Sequence, residues 1–505
     1  MNYRSPRALA LALVTLCALG SCSPHSEKGR RLIIGIGGSL NLGTNNPVYI
    51  QRNANVWETF SRLDDSYTPQ PFLAESWDSE KNGTIWTLRL RRDVVFHNGD
   101  SLNASLAIEN IRRFKSRPEF DYYGVYTHLD SVYARDKYTI TLAFSRPCVD
   151  FPYKIGHYFS GIFSPASFDK DGKITLPIGC GPYQFVKSET GKYDMVKSFD
   201  RYFGGKPYFD TIEFRIIPDP LVRVMALIRG DIDMIAHHGG VLPEHLKLLR
   251  ENSNVVVDSC DIGVTHYLLF NCASEAFRDQ KNREAFSSLL NRKEMVDLIL
   301  RGKGIPAHDY FVEPIRTWDR SRFLELPDTS MISSASALFH NKPITLVLAQ
   351  GDMSNWGYKQ IAEYLADYYG KRGISISIVS LEGGAWQRAI QKGNFSFTLY
   401  PLSIPTGTPE LFIRALAYSK GLKAGNIGNR THFSSKDVDS LVDKAITAPS
   451  LALRDSLYNR VLDIMAGEKP VVPLYHERYY YAYKKGLKHI SLDPFLKLDL
   501  SRVSR

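Results

Sequence analysis

Residues 211–235, TIEFRIIPDPLVRVMALIRGDIDMI, carry the pattern that decides the fold. Apolar and charged residues alternate from Ile212 to Ile216, as they do in a strand. Asp219 and Pro220 then supply an N-cap and a first-turn proline, and apolar residues at helical spacing continue to Gly230, which predicts the helix end. The closing IDMI predicts a second strand, so the segment is a strand–helix–strand unit typical of α/β proteins.

A second unit of the same kind lies much further along the chain. Ile344–Leu348 is an apolar strand, followed by a helical face that ends at Gly370. Ile374–Ile378 alternates strictly and predicts a strand, a short helix follows around Trp386–Ile390, and Phe395–Leu399 is the next predicted strand. Two such units, so far apart, predict two α/β lobes.

A different pattern fills residues 58–178. Ile85–Arg91 and Tyr138–Leu142 alternate at period two, as antiparallel strands do. Asn98-Gly99 is a strong turn signal, and Asn103 can cap a helix. This region is predicted to be an inserted α+β subdomain.

The N-terminus has the features of an export signal. Two arginines precede the apolar stretch Ala8–Leu19, which is shorter than the roughly 20 residues needed to span a bilayer. The sequence LGSC at 19–22 resembles a bacterial lipobox, which implies that residues 1–21 are removed as a lipoprotein signal peptide and that Cys22 carries a lipid. The alternative is an ordinary cleaved signal with a chance cysteine. Residues 22–30 are polar and predict a flexible tether.

Composition and motifs exclude several function classes. The net charge of +10 is spread along the chain without basic runs or an aromatic–basic stripe, which gives no support to nucleic-acid binding. The sequence contains no G-x-S-x-G, no H-E-x-x-H and no known cysteine–histidine signature. We therefore predict a protein that is not an enzyme and uses no cofactor.

Four cysteines lie beyond the N-terminal segment, at positions 148, 180, 260 and 272. In an oxidising compartment they allow three pairings. Cys260 and Cys272 could pair locally, Cys148 and Cys180 could pair with each other, or all four could stay as buried thiols.

Several stretches resemble the peptide- and nickel-binding proteins of ABC importers. The most specific are PFLAESW at 71–77, WTLRLR at 86–91 and VFHNGD at 95–100, which match the family patterns L-A-E-S-W, W-T-F-x-L-R and V-x-F-H-D-G in order and spacing. GCGPY at 179–183 and YFGGKPY at 202–208 resemble the family's G-T-G-P-Y and Y-W-G-G-K-P-Y.

This resemblance implies an α/β, two-lobed fold similar to type II periplasmic binding proteins, with the α+β subdomain as an extra part. Two chain crossings, near 264–272 and 472–480, would form the hinge. The expected units are lobe I from residues 31–57, 179–268 and 475–505, and lobe II from residues 269–474.

The function that the resemblance implies is solute capture for an ABC importer. Such a protein would be a monomer, anchored by its lipid in the periplasm or cell envelope, that binds oligopeptides or peptide-like solutes and delivers them to permease and ATPase subunits. Two alternatives remain open: a binder of a metal chelate or oligosaccharide on the same fold, and a surface lipoprotein acting in adhesion or as a chaperone.

Candidate ligand contacts occur where predicted strands end, because the cleft of such a fold lies there. They comprise backbone donors, polar side chains and aromatic rings: Gly38, Ser39, Asn41, His237, His238, Trp356, Glu382, Trp386 and Tyr400. Each aromatic ring could stack on a ligand or pack in the core. Adjacent histidines on an extended segment point to opposite faces, and no third ligand is identifiable, so no metal site is predicted.

One departure from the family pattern bears on the solute. In peptide-binding relatives, an aspartate shortly after the strand corresponding to Phe395–Leu399 meets the peptide ammonium. Here Tyr400–Pro409 contains no acidic residue. Either Glu382 or Asp352 takes the role, or Glu410 fills it, or the solute has no such ammonium.

Overall fold

The computed structural model describes residues 29–42, 52–117, 121, 124–157, 160–237, 240–312, 323, 326–404, 406–421, 428–493 and 496–505. The predicted signal peptide, Cys22 and nearly all of the tether lie outside these residues. The described strands are β1 (Arg31–Ile36), β2 (Ser61–Leu63), β3 (Pro69–Pro71), β4 (Ala74–Glu80), β5 (Ile85–Leu90), β6 (Leu129–Asp136), β7 (Thr139–Phe144), β8 (Tyr183–Glu189), β9 (Tyr193–Ser198), β10 (Thr211–Ile216), β11 (Met234–Ile235), β12 (Val255–Phe270), β13 (Gly304–Pro306), β14 (Ile344–Ala349), β15 (Ile376–Leu381), β16 (Phe397–Ser403) and β17 (Val471–Lys484).

The described α-helices are α1 (Ala104–Ser116), α2 (Phe151–Ile155), α3 (Pro220–Arg229), α4 (Leu246–Arg250), α5 (Gln280–Ser288), α6 (Arg292–Met295), α7 (Ile332–Phe339), α8 (Gln350–Asn355), α9 (Tyr358–Gly370), α10 (Gly383–Lys392), α11 (Glu410–Leu416), α12 (Lys436–Ile446) and α13 (Leu451–Glu468). None of the helices in the described ranges is long and apolar enough to cross a bilayer.

Eleven strands form one mixed sheet in the order β15-β14-β16-β12-β17-β11-β1-β10-β9-β8, with β13 added beside β17. The two longest, β12 and β17, lie at its centre and pair antiparallel from Val255↔Lys484 to Leu269↔Val471. Their register shifts between Asp261 and Thr265 and again between His266 and Tyr267. Two strands that cross together form the hinge that we predicted.

Both predicted α/β units are present. The Asp219 carboxylate caps α3 by accepting the Val222 N–H at 2.8 Å, and Gly230 ends the helix with φ of 87°. β14 and β15 are parallel, as are β1 and β10. The predicted strand at 395–399 is longer in the structure and reaches Ser403, because β12 continues beside it to Val264.

Separate hydrophobic cores support three parts of the chain. One core lies under β12, β14 and β16 and contains the stacked pair Phe286 and Tyr369, whose ring centroids are 4.1 Å apart. A second core fills the inserted subdomain, where β4, β5, β7 and β6 form an antiparallel sheet covered by α1. A third core lies around β1 and β10. The residue limits that we predicted for the lobes stay a prediction.

A buried ion cluster joins the subdomain to the core under β14 and β16. Lys154 Nζ lies 3.1 Å from Asp150 and 3.0 Å from Glu410, while Arg454 reaches Asp150 at 2.5 Å and Arg414 reaches Glu410 at 3.0 Å. Burial would raise the pKa of Glu410, but the charges of Lys154, Arg414 and Arg454 hold that pKa well below its ordinary value. Each charge of the cluster thus depends on its neighbours to offset lost hydration.

All four cysteines in the described residues are free thiols. Burial raises the pKa of Cys148, Cys260 and Cys272 to about 12 in each case. Neither pairing is present among the described residues; Cys180 is buried, the other three cysteines are half-buried, and the raised pKa values keep the thiols protonated at neutral pH.

The half-buried His97 and the buried His476 predict how stability depends on pH. His97 donates its Nε2 N–H to the Gly181 carbonyl at 3.0 Å, His476 Nδ1 lies 2.9 Å from Thr265 Oγ1, and burial lowers the pKa of both imidazoles to about 4. Below about pH 6.5 the unfolded chain takes up protons that the folded chain excludes. Between about pH 7.5 and about pH 5 we expect the free energy of unfolding to fall by about 2 kcal/mol for each imidazole.

Urea denaturation at the two pH values measures this loss. His97→Gln keeps a donor for the Gly181 carbonyl but does not titrate, so its pH dependence should be about 2 kcal/mol smaller than that of the wild type. An unchanged pH dependence in this variant would contradict the assignment of His97.

Candidate ligand-binding cleft

A cleft of about 1040 Å³ opens at the strand ends where the two sides of the large sheet face each other. One wall follows β1, β10 and β11, the other is formed by α8, the start of α9 and the end of β15, and the floor is on the hinge strands. The lining residues are Gly37, Gly38, Pro218, Pro220, Arg223, His237, Leu242, Glu244, His266, Leu300, Lys303, Gln350, Met353, Trp356, Gly357, Lys359, Gln360, Ser380, Tyr475 and Glu477. This volume is at the upper end of the roughly 300–1,000 Å³ common for small-molecule sites.

His266 organises the floor of the cleft. Its ring is fully buried and stacks flat on Tyr475, its neighbour across β12 and β17, with centroids 4.2 Å apart. Trp356 meets it edge-on at 5.1 Å. Tyr358 Oη lies 2.7 Å from Nδ1, and Glu477 Oε2 lies 3.4 Å from Nε2. The imidazole therefore links a buried hydroxyl to a carboxylate on the cleft surface.

Main-chain contacts shape the wall that follows β1. The Gly37 N–H donates to His237 Nε2 at 3.0 Å, and a Cβ on Gly37 would lie 3.3 Å from that nitrogen. Arg223 is buried and donates to the carbonyls of Pro218 at 3.3 Å and Gly240 at 3.1 Å. Arg223 thus ties together the loops that follow β10 and β11.

The His237 ring therefore offers its Nε2 lone pair to the backbone. The described residues contain no group of three side chains able to hold a metal ion. The hydrogen bond from Gly37 to His237 positions the loop after β1.

Three of the predicted contact residues, Gly38, His237 and Trp356, line the cleft. Ser39 and Asn41 are not among its lining residues. The Ser39 hydroxyl donates to the Asp194 carboxylate at 3.0 Å, and the Asn41 N–H donates to Ser39 Oγ at 3.0 Å. These two residues hold the end of β1 against β9, and His238 lies outside the described residues.

The remaining predicted contacts do not line the cleft. Trp386 is buried and stacks parallel to Tyr400 with centroids 5.9 Å apart, and the Arg430 guanidinium lies 4.7 Å above the Tyr400 ring. This stack packs beside β14 in a small core with Phe395. Glu382 is exposed at the start of α10.

The acidic residues of the cleft differ from those that the sequence suggested. Glu410 belongs to the buried ion cluster and is not a lining residue. Asp352 lies on α8, where burial raises its pKa, but it also does not line the cleft. The acidic residues that do line the cleft are Glu244 and Glu477. Glu477 follows Tyr475 by two positions on β17, and this period-two spacing was the signal for a shared face.

The sequence of this chain is similar to those of known solute-binding proteins. A sequence model for bacterial extracellular solute-binding proteins, family 5 middle, matches residues 68–423. The probable ABC transporter periplasmic-binding protein SapA of Escherichia coli K12 is 23% identical over 470 residues, covering 87% of this chain and 85% of SapA. Di/tripeptide-binding protein 2 of Pseudomonas aeruginosa is 23% identical over 466 residues, covering 87% of each chain.

A solved structure shows the same fold. NikA from Brucella suis, in complex with Fe(III)-EDTA, superposes with a TM-score of 0.81 at 20% identity and covers 94% of this chain and 99% of its own. The match confirms the predicted two-lobed α/β fold of the type II periplasmic binding proteins.

The bond between His266 and Tyr358 can be tested by a double-mutant cycle. Both side chains are fully buried, so His266→Phe or Tyr358→Phe leaves one polar atom in the interior without this partner. We expect each single change to lower the free energy of unfolding by about 1–3 kcal/mol, and the double change to cost less than the sum by at least about 0.5 kcal/mol. Urea denaturation of the four proteins measures the coupling, and strictly additive losses would contradict it.

Proposed function

Because the chain belongs to family 5 of the bacterial extracellular solute-binding proteins, a family of transport proteins rather than enzymes, we propose that it captures peptides or peptide-like solutes for an ABC importer. The observation that carries the proposal is the cleft between two α/β lobes, whose floor lies on the two hinge strands. The solute would then pass to the permease and ATPase subunits of the importer.

Closure around a solute follows from this construction. Both walls of the cleft supply contacts, so a solute bridging Gly38 and Trp356 gains both sets only when the lobes approach each other. Rotation about β12 and β17 achieves this without breaking either core. Binding energy is thus converted into the closed shape that a permease can distinguish from the open one.

The mixed chemistry of the walls suits a peptide. Exposed main chain at Gly38 can pair with a peptide backbone, while Trp356, Met353 and Leu242 offer apolar surface to its side chains. The cleft thus combines apolar surface with placed polar groups, which can hold and orient a small solute.

A metal chelate is the second candidate solute. Two lysines, Lys303 and Lys359, line the cleft and would attract an anionic chelate. The solved NikA structure holds Fe(III)-EDTA, which supports a metal chelate as the solute.

Solute class can be measured directly. We expect calorimetry with a pool of short peptides to give saturable binding. A bound solute at 100 times its Kd should raise the free energy of unfolding by about 2.7 kcal/mol. Ni(II) and Fe(III) chelates and oligosaccharides form the comparison set. Stabilisation by chelates or sugars but by no peptide would contradict the peptide proposal.

We also propose that the mature chain starts at Cys22 and is held in the cell envelope as a lipid-anchored monomer. The lipobox-like LGSC supports this, and the periplasmic name of SapA agrees with the compartment. Labelling of the expressing cells with an alkyne fatty acid should tag the wild type, and Cys22→Ser should lose the tag and appear in the soluble fraction. Cys17→Ser is the matched control and should keep the tag; a tag retained by Cys22→Ser would contradict the anchor.

A further inference from the structure

We propose that a small cavity beside the buried ion cluster binds one chloride ion, held by the side chains of Arg146 and His128. The ion would tie the inserted subdomain to the core under β14 and β16. This cavity shares none of its described lining residues with the ligand-binding cleft, so the inference goes beyond solute capture and does not depend on it.

The cavity has a volume of about 30 Å³ and lies where two parts of the chain meet. Residues between 124 and 154 of the subdomain form one side, and residues of α11, α12 and α13 form the other. Because a cavity needs only about 10–15 Å³ to hold one water, this one has room for a monatomic ion but not for an organic acid.

The charges on the cavity wall do not balance. Its described lining includes three cationic side chains and two carboxylates: Arg146, Lys154, Arg454, Asp150 and Glu410. The Lys154 ammonium lies 3.1 Å from Asp150 and 3.0 Å from Glu410, and Arg454 lies 2.5 Å from Asp150. Lys154 and Arg454 are therefore paired with the two carboxylates, and the excess positive charge belongs to Arg146.

Neighbouring groups leave this excess unchanged. Arg414 pairs with Glu410 at 3.0 Å and Asp455 pairs with Arg454 at 3.2 Å, which adds one charge of each sign. The Asp121 carboxylate instead accepts two backbone N–H groups, at 2.7 Å and 2.8 Å, and is not among the described lining residues. An anion in the cavity would supply the missing negative charge.

Arg146 has the donors that such an anion needs. Its side chain is half-buried, and within the described part of the chain it takes part in no hydrogen bond or ion pair. Burial lowers the pKa of Arg146, and the charge of Arg414 lowers it further against an opposing effect of Glu410. A guanidinium carries five N–H donors, and shielding it from water without an acceptor is costly.

His128 lies on the same wall and supplies a second donor. Burial lowers the pKa of this half-buried imidazole, and the charges of Arg146, Arg414 and Lys154 act in the same direction, while Glu410 opposes them. The local potential at the ring is therefore positive, which disfavours a proton and favours an anion. A neutral imidazole still donates one N–H.

Bromide tests the site directly, because it replaces chloride and scatters X-rays anomalously. Crystals of the full mature chain grown in sodium bromide should show an anomalous peak in the cavity at the bromine absorption edge, within hydrogen-bond distance of Arg146. A cavity that holds only water in those crystals would overturn the proposal.

Thermal unfolding tests the energetic role. The full mature chain is compared at pH 7.5 in sodium chloride and in sodium gluconate of equal ionic strength, since gluconate is too large for the cavity. In chloride at ten times its Kd, the wild-type midpoint should exceed that of Arg146→Gln by about 2 °C or more. In gluconate, Arg146→Gln should be at least as stable as the wild type, because it removes an uncompensated cation.

This reversal separates a chloride site from a purely structural arginine, whose loss would lower the midpoint equally in both salts. Arg146→Lys keeps the charge and should keep part of the chloride effect. Arg135→Gln, which removes an exposed arginine of β6, is the matched control and should keep all of it. If Arg146→Gln responds to chloride as the wild type does, the site is overturned while the proposed function stands.

Discussion

Main-chain hydrogen bonds between β12 and β17 extend across both lobes of the molecule. Each strand contributes to the core under β14 and β16 at one end and to the cores around β1 at the other. The large sheet is therefore continuous, and the lobes cannot separate without losing this ladder. The same pairing sets His266 opposite Tyr475 and so creates the floor of the cleft.

Buried polar groups in this protein are held by partners that come from distant segments. Arg223 donates to carbonyls of the two neighbouring loops, and His266 contacts a tyrosine and a glutamate from distant parts of the chain. The ion cluster around Lys154 follows the same rule between the subdomain and lobe II. Because each unpaired group would be costly, these contacts fix how separate cores are placed relative to one another.

Local chemistry made much of the fold predictable. The Asp219 cap, the Gly230 stop and the alternation in Ile85–Arg91 act within a few residues, so the sequence reveals them without knowledge of the tertiary structure. The loop ends at Gly38 and His237 were found for the same reason.

The floor of the cleft was not predictable in that way. His266 and Glu477 are 211 positions apart, and only the register of β12 against β17 brings them together. Trp386 and Tyr400 were suggested as contacts because they follow or lie near strand ends. In the structure they stack on each other, since the extension of β16 along β12 keeps Tyr400 within the sheet.

The position of the cleft floor on the hinge strands has a mechanical consequence. In a rotation, an atom moves in proportion to its distance from the axis, so His266 and Tyr475 move little while the distant rims of the walls travel far. A solute seated on the floor would therefore keep its contacts throughout the rotation, and its contacts with the distant rims would form last. Capture would then precede enclosure, and on opening the rim contacts would break first and the contacts at the hinge strands last.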